Sequence, residues 1–174
     1  MPDRVSYAAS CRVLQSKQLL ATDTLPARPE RPPRHDDPQL AVSFFRTRLA
    51  NVALDGLTLP RTFIGRSEIH NVSFLDSDLS EATANWNDFI DVDFSSADLS
   101  RADFRASMFE RVSFQGAVLR GADLRQCTFR GCTFTDADMT GARLTRGLVW
   151  FLRLSRGQRA VIDWQAPGPE PEGG

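Results

Sequence analysis

Lysine is almost absent from this sequence, and histidine, cysteine and tyrosine are scarce. The 174 residues include one lysine, two histidines, three cysteines and one tyrosine, whereas arginine occurs 20 times. Three cysteines (Cys11, Cys127 and Cys132) without a CxxC pair or a nearby histidine argue against a disulfide framework or a zinc site. Neither His35 nor His70 has a serine, cysteine or acid partner at a fixed offset. The sequence therefore predicts no metal site, no cofactor and no catalytic residues, and we expect a protein that is not an enzyme.

Long apolar runs are also missing. No segment has the length of a membrane span, and the first 20 residues lack the apolar core and small-residue cleavage site of a signal peptide. The formal net charge is only −1, so the whole chain carries no bulk signal for nucleic acid or for a membrane surface. These absences favour a cytoplasmic location.

The dominant feature is an apolar residue at every fifth position. The positions run without a break from 44 to 154: Phe44, Leu49, Leu54, Leu59, Ile64, Ile69, Phe74, Leu79, Ala84, Phe89, Phe94, Leu99, Phe104, Phe109, Phe114, Leu119, Leu124, Phe129, Phe134, Met139, Leu144, Val149 and Leu154. From residue 92 to residue 142 the residue two before each is small or β-branched. A period of five fits neither a helix nor a lone strand. It is typical of a repeat architecture in which each short unit forms one side of a coil.

Comparison of residues 20 apart tests this interpretation. A side chain that points inward every fifth residue requires the chain to turn a corner at the same interval, and four corners close one coil. Like residues then stack, as in the column Phe74, Phe94, Phe114 and Phe134. With strand spacing of about 4.8 Å between coils, about five coils would form a rod on the order of 25 Å long.

The run ADLSRADFRASMFERVSFQGAVLRGADLRQCTFRGCTFTDADMTGARL, residues 97–144, resembles the pentapeptide-repeat proteins, whose consensus is A(D/N)LxX. The resemblance implies an all-β fold, a right-handed, four-sided parallel β-helix. It also implies that the central Leu or Phe and the small residue two before it face the interior. The aspartate that precedes the central residue is then expected to face outward.

The two ends of the chain lack this period. We expect residues 1–39 to form an N-terminal arm, with a short helix followed by a Pro-rich linker, and residues 40–147 to form the β-helix. Residues 148–164 are predicted to be a C-terminal cap, because Ser155 and Gln158 have the spacing of a capping box. The tail, residues 165–174, has a disordered composition. Four residues are candidates for capping the rod or for pairing two copies in a weak homodimer: Val149, Trp150, Phe151 and Leu152.

The pattern is disturbed around Trp86, and this region is the candidate partner-binding site. Ala84 is a small residue in a column of large ones, and Trp86, Ile90 and Leu75 occupy positions where polar residues are expected. One interpretation is local repacking, in which Trp86 covers the space left by Ala84 and Asn87 bonds a corner carbonyl. The other is a binding anchor, because exposed aromatic and aliphatic residues mark interaction hot spots. Acidic residues surround these positions, and those included in the candidate site are Asp78, Asp88, Asp91, Asp93 and Asp98.

Charge is divided along the repeats. Residues 67–100 contain eight acidic residues and no lysine or arginine, whereas residues 101–156 contain ten arginines and five acidic residues. We therefore expect a protein–protein interaction module that binds a protein partner through outward Asp-rich faces.

The family resemblance supplies an alternative, a DNA mimic that binds a type II topoisomerase such as gyrase and gives quinolone or toxin resistance. The neutral array, with 14 acidic residues and 14 arginines between residues 40 and 156, disfavours that alternative. A further alternative is an immunity, effector or scaffold component in which the repeats only position the N-terminal arm. Direct nucleic-acid or membrane binding is not expected.

Overall fold

Strands in the described residues pair in parallel, and paired residues lie 20 positions apart, as in Ser43 beside Phe63 and Asp88 beside Met108. The structure is a computed structural model that describes residues 4–20, 25–33, 42–147 and 152–167. The elements are α1 (Tyr7–Ser16), β1 (Ser43–Phe45), β2 (Arg48–Ala53), β3 (Phe63–Gly65), β4 (Glu68–Ser73), β5 (Asp88–Ile90), β6 (Met108–Glu110), β7 (Asp123–Leu124), β8 (Thr128–Arg130), β9 (Arg143–Thr145), α2 (Arg156–Val161) and β10 (Asp163–Gln165). They form a parallel β-solenoid, as the sequence predicts.

The solenoid has about six turns, one more than the five expected. The extra turn is formed by β10, which follows α2 and pairs with β9 in the same 20-residue register, Asp163 beside Arg143. One column of paired residues therefore crosses the whole rod: Ser43, Phe63, Thr83, Asp103, Asp123, Arg143 and Asp163.

Four columns of buried side chains fill the interior and define four faces. The first face is centred on Phe44, Ile64, Ala84, Phe104, Leu124 and Leu144; the second on Leu49, Ile69, Phe89, Phe109 and Phe129; the third on Leu54, Phe74, Phe94, Phe114 and Phe134; and the fourth on Leu59, Leu79, Leu99, Leu119 and Met139. Aromatic rings of the second and third faces stack along the rod, with centroids 5.0 Å apart for Phe89 and Phe109 and 4.8 Å apart for Phe114 and Phe134. Burial of each ring contributes about 1.5–3 kcal/mol relative to exposure, so these columns carry the fold.

The chain turns from one face to the next at the residue two after each central residue. Trp86 (φ 59°) stands at such a corner between the first and second faces, and Asp76 (φ 58°) stands at one between the third and fourth faces. In a four-sided coil these two corners are diagonally opposite. We call them the tryptophan corner (Arg46, Arg66, Trp86, Ala106, Gln126) and the aspartate corner (Gly56, Asp76, Ser96, Gly116, Asp136).

Polar side chains at the small inner position connect successive coils. Ser107 Oγ accepts the Asn87 N–H (3.1 Å) and donates to the Ala84 carbonyl (3.1 Å). Asn87 performs the same task one coil earlier: its Oδ1 accepts the Ser67 N–H (2.8 Å) and its Nδ2 donates to the Ile64 carbonyl (2.7 Å). Asn87 therefore links its own coil to the preceding one through the carbonyl of a central residue.

We predict that Asn87→Ala lowers the free energy of unfolding by about 1–3 kcal/mol, because it leaves the buried Ser67 N–H and Ile64 carbonyl without partners. Asn87→Ser is the matched control, since Ser67 and Ser107 occupy the adjacent positions of the same column and make equivalent bonds. Urea unfolding of the two variants measures the difference. Equal losses in both would contradict this assignment.

Helix α1 closes the N-terminal end of the solenoid. Its Cys11 and Leu14 side chains are fully buried and belong to the same core cluster as the repeats. Ser10 Oγ accepts the Thr58 N–H (2.8 Å), a backbone donor of the first coil. The helix begins at the N-cap Ser6, whose Oγ accepts the Ala9 N–H. The helix is thus a packed part of the rod.

The described part of the Pro-rich stretch, residues 25–33, also lies against the rod. Pro29 and Pro33 are buried, and their carbonyls accept hydrogen bonds from Arg61 Nη1 (2.6 Å) and Thr83 Oγ1 (2.9 Å). Composition alone predicts a linker, because such a stretch cannot bury enough apolar surface to order itself. The rod supplies donors for its carbonyls, which composition does not reveal.

At the other end, α2 has the capping box that the sequence predicts. Ser155 Oγ accepts the Gln158 N–H (3.1 Å), and Gln158 Oε1 accepts the Ser155 N–H (2.9 Å). Gln158 Nε2 also donates to the carbonyls of Phe134 and Ala137, which joins the helix to the last coil. Leu152 is buried in the core cluster. The other cap or dimer candidates, Val149, Trp150 and Phe151, lie outside the described residues.

Candidate functional site at two opposite corners

The structure separates the predicted partner-binding residues into two groups. Trp86 stands at the tryptophan corner, the second face beside it carries Asp88 and Ile90, and Asp91 (φ 54°) stands at the corner between the second and third faces. The third and fourth faces carry the remaining candidates: Leu75, Asp78, Asp93 and Asp98. Trp86 and the aspartate corner are diagonally opposite, so one compact partner surface cannot contact both, whereas Asp91 and Asp93 line one pocket where the second and third faces meet.

Ile90 and Asp91 are occupied by neighbours, whereas Asp88 is exposed and has no ion-pair partner among the described residues. Ile90 is half-buried and lies between His70 and Glu110 in the strand register. Asp91 accepts two hydrogen bonds from Arg111, at 2.5 and 2.9 Å, and its carboxylate lies 3.7 Å from His70. The Arg111 hydrogen bonds hold the pKa of Asp91 below its ordinary value. Asp91 is therefore a paired charge.

The carboxylates around the aspartate corner are different. Five of them, Asp55, Asp76, Asp78, Asp93 and Asp98, form no ion pair with any of the described residues. They surround Leu75, whose side chain is 37% exposed. The cation at this edge is Arg4, whose Nε donates to the backbone carbonyl of Asp76 (2.6 Å) and leaves the carboxylate unpaired.

Three of these aspartates also stabilise the turns that follow them. Asp78, Asp93 and Asp98 each accept, through Oδ1, the backbone N–H two residues later, at 3.0, 2.8 and 2.9 Å. An amide oxygen can accept the same bond, which explains structurally why asparagine can replace aspartate at this position of the repeat. Asp78 and Asp98 are bridged neighbours in adjacent coils, so two like charges face each other there. The charge is not needed for the turn and costs some stability.

In the later coils the acidic residues are mostly paired. Arg105 binds Asp103 (2.7 Å), Arg125 binds Asp123 (2.6 Å) and Arg120 binds Asp138 (2.5 Å). For Asp123 burial raises the pKa, but hydrogen bonds from Arg125 outweigh burial and hold the pKa below its ordinary value. Uncompensated negative charge in the described residues is therefore concentrated around the aspartate corner, mainly in the first three coils, and Asp88 on the second face is a further unpaired carboxylate.

A groove about 470 Å³ in volume lies beside the tryptophan corner. Its lining includes Phe45, Phe63, Gly65, Arg66 and the indole of Trp86, which is 68% exposed. Ala84, two residues before Trp86, is fully buried. A Cβ atom at position 65 would lie 2.5 Å from the Phe63 ring. Glycine lacks this atom and therefore leaves room for the ring.

Sequence reasoning missed Phe45 and Phe63. Both stand beside a central residue, at positions where polar side chains are expected, and they occupy adjacent coils of the first face. Their ring centroids are 6.0 Å apart, and the guanidinium carbon of Arg46 lies 5.3 Å from the Phe45 centroid. The signal for this pair in the sequence is two aromatic residues, 18 residues apart, at positions that are expected to face outward.

Reactive groups in the described residues are few. Burial raises the pKa of Cys127 to about 12, so its thiol remains protonated at neutral pH, and burial also raises the pKa of Cys132. Both thiols donate to backbone carbonyls of the preceding coil, as packing residues of the inner position. Across the described ranges no group of three or more His, Cys, Asp or Glu side chains is placed to hold a metal ion. None of the helices described here is long and apolar enough to cross a membrane.

A family model described as "Pentapeptide repeats" matches residues 67–105, 88–126 and 109–146, with eight copies. No curated protein matches the sequence. The solved structure of a pentapeptide repeat protein from the Arabidopsis thaliana thylakoid lumen is similar, with 28% identity, a TM-score of 0.52 and coverage of 65% of this chain and 72% of that one.

Two further solved structures show lower similarity. The pentapeptide repeat protein Rfr23 from the cyanobacterium Cyanothece 51142 is 19% identical, with a TM-score of 0.36 over 62% of this chain and 87% of that one. QnrB1, a plasmid-mediated fluoroquinolone resistance protein, is 17% identical, with a TM-score of 0.38 over 72% of this chain and 64% of that one.

Proposed function

We propose that this chain, which matches the family model for pentapeptide repeats over residues 67–146, is a non-enzymatic protein-binding module that contacts a basic protein surface through its aspartate corner. The observation that carries this proposal is the set of five carboxylates without an ion-pair partner among the described residues, grouped around the half-exposed Leu75. An apolar residue within a ring of charge is a common arrangement in protein interfaces.

The charges themselves support a binding role. Asparagine would serve the turns as well as aspartate, and Asp78 beside Asp98 is electrostatically unfavourable within the rod. Opposite charge on a partner would relieve this repulsion and would orient the partner during its approach. A partner with Lys or Arg residues spaced like the coils, about 4.8 Å apart, fits such a column.

The test is the combined substitution of Asp76, Asp78, Asp93 and Asp98 by asparagine. Because Asn Oδ1 accepts the same turn bonds, we expect the variant to keep its circular dichroism spectrum and its unfolding midpoint. Proteins that the wild type captures from a lysate at low salt should be captured at least tenfold less, as measured by quantitative mass spectrometry. Capture by the wild type should also fall steeply as salt is raised.

Trp86→Ala is the matched control, because it alters the opposite corner and keeps all the carboxylates. Ala106 stands one coil above Trp86 at the same corner with φ 56°, so alanine is accommodated there. The proposal predicts that Trp86→Ala captures the same basic partner as the wild type. Undiminished capture by the four-residue Asn variant would overturn it.

The alternative of a gyrase-binding DNA mimic finds less support. Such a mimic requires negative charge along most of the rod, whereas Asp103, Asp123 and Asp138 are paired with arginines in the later coils. Addition of the purified protein to a gyrase supercoiling reaction distinguishes the two functions. We expect no change in supercoiling or in its inhibition by quinolones.

A further inference from the structure

The groove beside the tryptophan corner combines the features of a peptide-binding site. Its floor is aromatic, since Phe63 is buried within it and Phe45 is 39% exposed at its edge. Its wall is the exposed indole of Trp86, held at a backbone corner by the Trp86 N–H bond to the Arg105 carbonyl (3.1 Å). A volume of about 470 Å³ is within the usual range for sites that enclose a small number of side chains.

Arg46 and Arg66 give this corner a charge opposite to that of the aspartate corner, although the unpaired carboxylate of Asp88 lies two residues beyond Trp86, on the second face. Arg46 and Arg66 precede Trp86 in the same column, and neither guanidinium has a carboxylate partner among the residues that the structure describes. The described carboxylates of the first face, Asp103, Asp123 and Asp163, each lie within ion-pair distance of an arginine. The groove is therefore flanked by free positive charge and has no free negative charge on its own face.

We propose that this groove binds an acidic linear peptide, with one apolar or aromatic side chain between Phe45 and Trp86 and with flanking carboxylates on Arg46 and Arg66. Trp and Arg side chains at the edge of a partly enclosed apolar site are the residues most often found at interaction hot spots. Arginine also binds carboxylates in a bidentate geometry that fixes the register of a peptide. This surface is separate from the aspartate corner and does not depend on the function proposed for that corner.

The experiment uses the full chain and a phage-displayed library of random 12-residue peptides, with Trp86→Ala for counter-selection. We expect the enriched peptides to carry Asp or Glu on both sides of a Phe, Trp or Leu. For the best peptide, labelled with fluorescein, fluorescence polarisation should show at least tenfold weaker binding to Trp86→Ala and to Arg46→Glu/Arg66→Glu. Glu81 occupies a corner with φ 57°, so glutamate is compatible with this backbone.

The four-residue Asn variant of the aspartate corner is the control, and its affinity for the peptide should equal that of the wild type. This control separates a failure here from a failure of the proposed function. The inference would be overturned by enrichment of basic or neutral peptides, by equal binding to Trp86→Ala, or by no enrichment over the counter-selected variant. Concentration-dependent association of the wild type, lost in Trp86→Ala and measured by analytical ultracentrifugation, would instead identify a second copy as the occupant and would also overturn it.

Discussion

Phe109→Ala is expected to lower the free energy of unfolding by about 3–5 kcal/mol, the largest effect of any single substitution considered for this chain. The Phe109 ring is fully buried and stacks between those of Phe89 and Phe129, with centroid separations of 5.0 and 5.2 Å. It also meets Phe104 and Phe114 edge to face. Its removal leaves a cavity that neighbouring coils cannot fill, because their spacing is fixed by the strand hydrogen bonds.

Phe109→Leu is the matched variant, because leucine and isoleucine already occupy the same column at Leu49 and Ile69. We expect it to cost less than about 1.5 kcal/mol, and to fold even if the alanine variant does not. Phe45→Ala, at a half-exposed position of the first face, should cost about 0.5–1.5 kcal/mol, because it removes the ring contact with Phe63. Guanidinium unfolding followed by circular dichroism measures all three. A loss for Phe109→Ala no larger than that for Phe45→Ala would contradict the assignment of the aromatic columns as the main source of stability.

The repeat region could be predicted from the sequence because it is nearly one-dimensional. Each coil contacts only its neighbours, so a local period of five and a stacking period of 20 contain most of the fold. The extra turn could not be found in this way. Asp163 is 20 residues beyond Arg143, but α2 intervenes and its residues do not follow the five-residue pattern.

The candidate site was less predictable, although part of the information was present. Leu75 and Trp86 are close in the sequence, which favours a single site, yet the 20-residue period assigns them to opposite sides of the rod. Trp86 is exposed, as its corner position predicts. The burial of Phe63 depends on the missing side chain of Gly65, and such a contact leaves no periodic signal.

Leu14→Ala is expected to lower the free energy of unfolding by about 2–5 kcal/mol, because it removes a fully buried side chain from the helix that closes the rod. The matched control is Arg12→Ala, an exposed position on the same helix, for which we expect a change of about 0.5 kcal/mol or less. Thermal and guanidinium unfolding measure the difference.

The location of the damage is as informative as its size. In a solenoid whose coils contact only their neighbours, the loss of an end cap should open the adjacent coil first. Hydrogen exchange of residues 43–61 should therefore accelerate in Leu14→Ala, while residues 108–145 remain protected. Phe109→Ala, in contrast, should accelerate exchange in the middle of the rod. Uniform acceleration along the rod in Leu14→Ala would show that the helix does not act as a local cap.

The packing of α1 against the first coil also affects how the role of the N-terminal segment can be tested. If the segment were only an arm carried by the repeats, deletion of residues 1–38 would leave the fold intact and remove the binding. With Cys11 and Leu14 in the core and Ser10 bonded to Thr58, deletion is instead expected to destabilise the first coils, which include Phe45 and part of the tryptophan corner. Loss of binding after the deletion would then have two explanations, unfolding of the first coils and loss of a direct contact between the segment and the partner. Exposed substitutions on α1, with Arg12→Ala as the first, separate the two: binding lost in a variant of unchanged stability would assign function to the helix surface.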